Sequence, residues 1–202
     1  MTEEDAKERV RSFVDANGFS RLEQLVSLVL SENERQNLIA RSTVAFIWSR
    51  HVLDSVQLLR WGEPRAGLWL DIGTGGGFPG LAVAAASNGE TILVEPRRLR
   101  SAFLAAAVDC IGLTHSRVVT TKVEALTAEA TTISARAVAP VEKLLQAAGH
   151  CATPTTRWLF LRGRLPDGER QSLVRVPRLM FHVEQSLSDP ASVVLIATRG
   201  KQ

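Results

Sequence analysis

A chain of 202 residues with 45% hydrophobic and 22% charged side chains has the composition of a water-soluble globular protein, and none of its apolar runs approaches the roughly 20 residues that cross a bilayer. The acidic start MTEEDAKERV lacks the basic lead and apolar stretch of an export signal, so a cytoplasmic protein is expected; two cysteines without C-x-x-C spacing, Cys110 and Cys151, argue against a disulfide framework or a zinc site and read as buried free thiols. A net charge of +3, with 20 of the 24 basic residues arginine, allows a phosphate-bearing partner without requiring one.

Apolar residues recur at three- and four-residue spacing in Leu22, Leu25, Val26, Leu28 and Val29, then in Phe46, Ile47, Val52, Val56 and Leu59, and predict a helical cap over residues 1–62. Asn17-Gly18 followed by Ser20 predicts a helix stop and a new N-cap, and residues 37–42 a connection into a third helix starting near Thr43. Residues 63–202 are expected to pack with the cap as one globular unit. There, short and often β-branched runs at 68–72, 91–95, 117–121 and 132–135 alternate with predicted helices at 79–87, 97–111, 122–129 and 140–150. Residues 158–161 supply a fifth strand, and 179–184 with 192–198 a closing antiparallel hairpin. The expected fold is α/β, with a mostly parallel seven-stranded sheet and helices on both faces.

The stretch 70–84, LDIGTGGGFPGLAVA, leads an apolar strand into a glycine-packed turn and then into helix-forming residues. Such a turn lets backbone approach a ligand where a Cβ would collide, and the following helix offers it free N–H groups. No Gly-Lys-Ser or Gly-Lys-Thr follows, which argues against a nucleoside triphosphate. Gly75, Gly77 and Gly80 satisfy the dinucleotide pattern G-x-G-x-x-G, with Glu95 at the distance of a ribose-binding acid. Asp71 ahead of Gly73, Gly75 and Gly77 equally gives the acid and G-x-G-x-G of Rossmann-like S-adenosylmethionine-dependent methyltransferases, and Glu95 would take the ribose hydroxyls in either case. The chain has no tyrosine, so the Tyr and Lys pair of short-chain dehydrogenases cannot be built. A nucleotide- or NAD-binding protein without methylation activity remains the alternative.

DIGTGGGFPGL, with NLIA at 37–40, RHVLDS at 50–55, KVEAL at 122–126, SARAVAPVEKLL at 134–145 and FLRG at 160–163, resembles the RsmG (GidB) family from about residue 30 onward. These are bacterial methyltransferases that act on N7 of a guanine in the 530 loop of 16S ribosomal RNA. The resemblance implies a class I Rossmann-like methyltransferase, S-adenosylmethionine as cofactor, 16S ribosomal RNA or the small ribosomal subunit as partner, no membrane and a monomer. It further implies that Gly73, Thr74, Gly75 and Phe78 face the methionine and ribose of the donor, Glu95 the ribose, Val123 and Glu124 the adenine, and that Arg136 stands beside the donor at the end of the fourth strand. The sequence departs from the family where Arg162 replaces the lysine of A-L-K-G, a planar fork for a compact ammonium, and in the compact segment RLPDGERQSL at 164–173.

Guanine N7 carries a lone pair and no proton, so neither a catalytic acid and base pair nor a metal is expected, and Arg136 is a positioning candidate. In A-form RNA a paired N7 lies in a deep groove closed to side chains, so the base must come from a loop or be flipped. That asks for phosphate grip at the mouth of the site, for which Arg50, Arg97, Arg98, Arg100, Arg162 and Arg164 are candidates. His51 is expected to be a hydrogen-bonded helix residue, with Asp54 and Ser55 fixing the cap to the sheet. His115, His150 and His182 lack metal-ligand spacing, and Trp48, Trp61, Trp69 and Trp158 read as core or junction packing.

Overall fold

Short runs such as WLDI and TILV, buried at every position, can form only a strand covered on both faces. In the computed structural model, which describes residues 1–136, 138–165, 168, 171, 173 and 176–200, seven strands share one sheet. They are β1 (Trp69–Ile72), β2 (Thr91–Val94), β3 (Ser116–Val119), β4 (Ala130–Arg136), β5 (Ala152–Arg162), β6 (Leu179–Gln185) and β7 (Val193–Arg199), in the order β3-β2-β1-β4-β5-β7-β6. The first five run parallel, and β7 pairs antiparallel with both β5 and β6.

The helices are α1 (Glu3–Arg11), α2 (Ala16–Asn33), α3 (Asp54–Val56), α4 (Gly80–Ser87), α5 (Arg98–Ile111) and α6 (Val141–Ala148). One apolar cluster joins Ala6, Leu22, Leu25, Val52 and Val56 of the cap to Leu81 and Ala85 of α4 and to Leu104 of α5. A second, under α6, gathers Leu70, Ile72, Ile92, Ile133, Leu144, Trp158 and Phe160 on the other face. The expected mostly parallel sheet with helices on both faces is the fold found. Among the described residues no helix is long and apolar enough to cross a membrane.

The differences have local causes. No break occurs at Asn17-Gly18 or Ser20: α2 starts at Ala16, Asp15 caps it by accepting from Gly18 N at 2.6 Å, and Gly18 is present for close approach, since a Cβ there would lie 2.6 Å from Ala86 O in α4. In place of one regular third helix, a 3₁₀ turn (Arg41–Phe46) leads into a π-helical segment (Trp48–Leu53), α3 and a further 3₁₀ turn (Gln57–Arg60). The predicted helix at 122–129 shrinks to one turn (Val123–Ala125), because Val123 and Leu126 are both drawn into the core and Leu126 is already extended. Strands β4 and β5 run longer than predicted: Ala130 pairs with Ala152, and the register then shifts across the threonine-rich start of β5 before Thr132 pairs with Arg157. Cys151 is buried as expected, but Cys110 is exposed on α5. Much of 164–173 lies outside the described residues.

Candidate functional site

Parallel strands present their carboxyl ends along one edge, and the loops that leave those ends form the site. The turn after β1 is pinned to β2: Gly73 N and Thr74 N both donate to Val94 O, at 2.8 and 3.2 Å. Glu95, the residue after β2, is buried, and its carboxylate ties two loops together, accepting from Gly75 N through Oε2 and from Arg97 N through Oε1, each at 2.9 Å. Gly75 has φ +60°, a left-handed conformation that costs an ordinary residue about 1–2 kcal/mol. Gly80, at the start of α4, is required by proximity instead, since a Cβ would lie 2.4 Å from Asp71 Cβ and 2.5 Å from its Oδ2.

These loops enclose a cavity of about 380 Å³. Of the expected donor-binding residues it brings together Gly73, Thr74, Gly75, Phe78, Glu95 and Arg136, and it adds Leu38 from the NLIA segment and Arg97 and Arg100 from the start of α5. Val123 and Glu124 do not line it; Val123 is buried and Glu124 exposed in the turn after β3.

Asp71 stands behind the turn, fully buried. Its Oδ1 accepts a short hydrogen bond from Ser134 Oγ of β4, which itself accepts from Trp69 Nε1 at 2.8 Å. Burial pushes the Asp71 carboxyl up to about 6, against the Ser134 and Thr74 hydrogen bonds, which pull it down.

Arg136 closes the cavity on the β4 side. Its guanidinium lies 5.4 Å from the centre of the Phe78 ring, and Nη1 donates to His51 Nδ1 at 2.9 Å. A guanidinium can only donate, so Nδ1 is the acceptor, and the neutral imidazole donates from Nε2 to Thr43 Oγ1 at 2.8 Å. Burial, reinforced by the charges of Arg136 and Arg50, lowers the His51 pKa to about 3. The expected hydrogen-bonded role of His51 is therefore the one found.

A second cavity, about 190 Å³, adjoins the first; Arg136 lines both, with Thr43, Arg50, His51 and Asp54 from the cap, Arg162 at the end of β5 and Ser192. Asp54 fixes the cap to the sheet as expected, accepting from Ser186 Oγ at 3.1 Å and Ser188 Oγ at 2.8 Å in the β6–β7 connection. Ser55 instead bonds within its own segment, to His51 O. Arg50 is ion-paired with Asp189, Arg100 reaches Asn37 O at 3.4 Å, and Arg162 donates to Ala139 O at 3.1 Å. Arg97, Arg98 and Arg164 are exposed. A larger cavity of about 680 Å³ lies at the amino-terminal end of β5 against α6, away from the glycine turn. The roles of Leu38 and Thr43 were missed in sequence; NLIA and RHVLDS flank or contain the relevant segment but give no sign that it closes over the turn.

Comparison with known proteins bears on this arrangement. The family described as rRNA small subunit methyltransferase G matches residues 19–188. The chain is similar to a protein of Novosphingobium aromaticivorans named ribosomal RNA small subunit methyltransferase G, 45% identical over 210 residues that cover 100% of this chain and 91% of that one. A protein of the same name from Erythrobacter litoralis is 43% identical, over 99% of this chain and 97% of its own length. Among solved structures, ribosomal protein L11 methylase from Lactobacillus delbrueckii subsp. bulgaricus superposes with a TM-score of 0.62 at 12% identity, covering 74% of this chain and 77% of that one. A methyltransferase from Geobacter sulfurreducens does so with a TM-score of 0.62 at 14% identity, over 87% and 88%. The fold is that of the class I Rossmann-like methyltransferases.

Proposed function

Because the chain belongs to the rRNA small subunit methyltransferase G family, we propose that it transfers a methyl group from S-adenosylmethionine to N7 of a guanine in the 530 loop of 16S ribosomal RNA, met as free RNA or in the small ribosomal subunit. The observation that carries the reading is the glycine cradle at the carboxyl ends of β1, β2 and β4, with Glu95 on one side and Arg136 on the other. The cradle suits the donor at Gly75, where a Cβ would meet nothing nearer than 3.6 Å; Gly73 and Gly76 instead let Val138 and Leu38 approach the turn, since a Cβ would lie 2.7 Å from Val138 Cγ2 and 2.7 Å from Leu38 O, respectively.

Gly73, Thr74, Gly75 and Phe78 would hold the methionine and ribose parts. Each Glu95 oxygen already accepts one N–H and keeps a lone pair for a ribose hydroxyl. Val123 and Glu124, past the end of β3, would flank the adenine at the outer end of the cradle. When bound, the donor supplies a methyl group on a positively charged sulfur. The N7 lone pair forms the new N–C bond as the C–S bond breaks, leaving a neutral thioether and a positive charge on the purine. No proton moves, so the residues act by alignment and by the field they set at the acceptor. Arg136, fixed by His51 and the Phe78 ring, is the positioning residue between the two cavities. Arg97, Arg98 and Arg100 at one mouth, with Arg50, Arg162 and Arg164 at the other, would grip phosphate around an opened base.

Titration calorimetry tests the reading: S-adenosylmethionine and its demethylated product should bind the pure protein, and NAD should not. Binding of NAD alone would favour a dinucleotide protein without methylation activity, as the literal G-x-G-x-x-G allows.

A further inference from the structure

The second cavity carries chemistry that the glycine turn does not. At about 190 Å³ it falls below the roughly 300 Å³ at which pockets begin to enclose whole ligands, a size for a single flat base. Asp54 lines it but not the donor cavity, and Arg136 lines both. The Asp54 carboxylate is used unevenly. Oδ1 accepts from Gln57 Nε2 at 3.0 Å, from Ser186 Oγ and from Ser188 Oγ, while Oδ2 has no hydrogen-bond partner among the described residues. Asp54 is half-buried and lines the cavity, so Oδ2 keeps its lone pairs for a donor that enters there.

We propose that this cavity receives the target guanine, extruded from its stack, and that Asp54 identifies it, with Oδ2 accepting from N1–H and the 2-amino group of the base. This rests on the reading of the chain as a guanine-N7 methyltransferase. The order of groups fits the order of atoms around the purine: with N1 and the amine on Asp54, O6 lies beside the Arg136 guanidinium and N7 faces the donor cavity. Adenine would turn a bare N1 lone pair toward Oδ2 and be repelled. The same contact assists transfer, because N1–H and the amine become stronger donors as N7 takes up positive charge. The carboxylate therefore binds the transition state more tightly than the ground state.

The test compares small subunits reconstituted with 16S RNA carrying guanine or inosine at the target. Inosine keeps N7, O6 and N1–H and lacks only the amine. The wild-type protein should show a kcat/KM lower by about tenfold to a hundredfold on inosine, the worth of a hydrogen bond to a charged group. Asp54→Asn keeps Oδ1 for both serines and replaces Oδ2 with an N–H₂ that cannot accept. It should act on guanine about tenfold to a hundredfold more slowly and treat the two bases nearly alike, with calorimetric affinity for S-adenosylmethionine unchanged. A wild-type enzyme indifferent to the amine, or an Asp54→Asn enzyme with wild-type rate or wild-type discrimination, overturns the proposal. The wild-type comparison needs no variant, and so stands even if Asp54→Asn does not fold. A wild-type protein that methylates no guanine N7 in either subunit instead refutes the reading beneath it.

Discussion

At the scale of the residue, Arg136 holds two cavities in register. It touches His51 of the cap and Phe78 of the glycine turn, whose rings also pack on each other with centroids 5.1 Å apart, so the guanidinium is placed before any ligand arrives. Arg136→Ala leaves His51 Nδ1 without its donor and should cost about 1–3 kcal/mol of folding stability, partly offset by the relieved desolvation of the cation. The kcat/KM for methyl transfer should fall about a hundredfold, the size of loss seen when one preorganised donor is removed. Denaturant unfolding and turnover on the same sample separate the two effects, and a loss of stability that accounts for the lost activity would make Arg136 structural. His51 gives a second prediction. Its folded pKa of about 3 lies below its unfolded value, so its contribution is fully present above pH 6.5 and is lost as pH falls from there toward 3. Asp71 acts oppositely: held near 6 in the fold, it adds stability as pH falls from about 6 to 4. Urea unfolding from pH 7 to 4 should therefore show a shallower acid loss, or none, in His51→Asn, whose Oδ1 still accepts from Arg136. Parallel curves for the two proteins would mean that His51 is not held neutral.

At the scale of the element, the glycine turn separates two demands that sequence alone merges. Gly75→Ala places a methyl at the cavity wall, in ordinary contact 3.6 Å from Arg100 Nη1 and from Gly73 O, and should cost about 1–2 kcal/mol of stability through its left-handed backbone. It should lower affinity for S-adenosylmethionine at least about tenfold, since a methyl of misfit at a tight contact is worth on the order of 1–3 kcal/mol. Gly80→Ala drives a methyl into Asp71 and should destabilise by about 1–3 kcal/mol with a smaller effect on donor affinity relative to that loss. Calorimetry and denaturation on both variants check this, and identical profiles would contradict it. The turn and the buried strands were legible because each is written in a few adjacent residues. The segment at 41–60 was not. Its π-helical piece is held by Glu3, whose carboxylate accepts from Trp48 N at 2.8 Å and from Ser49 N at 3.0 Å, and no local pattern announces a cap supplied from α1. Asp54 fastens the cap to the β6–β7 connection, as its place in RHVLDS suggests. Its place in a second cavity depends on Ser186 and Ser188, brought close by the antiparallel hairpin at the far end of the chain.

At the scale of the molecule, the cap is built into the site. Its apolar residues share a cluster with α4 and α5, Arg21 Nε donates to Ala85 O at 2.6 Å, and Leu38, Thr43, His51 and Asp54 line the cavities that the sheet opens. Under the proposed reading the sheet would supply most of the donor side, with Leu38 of the cap, and the cap much of the acceptor side, as a methyl transfer to a large, externally held base requires. The central claim is that this pair of cavities serves one reaction on one base. The direct measurement incubates the purified protein and S-adenosylmethionine with small ribosomal subunits, and with free 16S RNA, from cells that lack the corresponding gene, and maps N7-methylguanine along the RNA. The account predicts a single new N7-methylguanine, in the 530 loop. No new methyl group, or one at another atom or another region of the RNA, would contradict it.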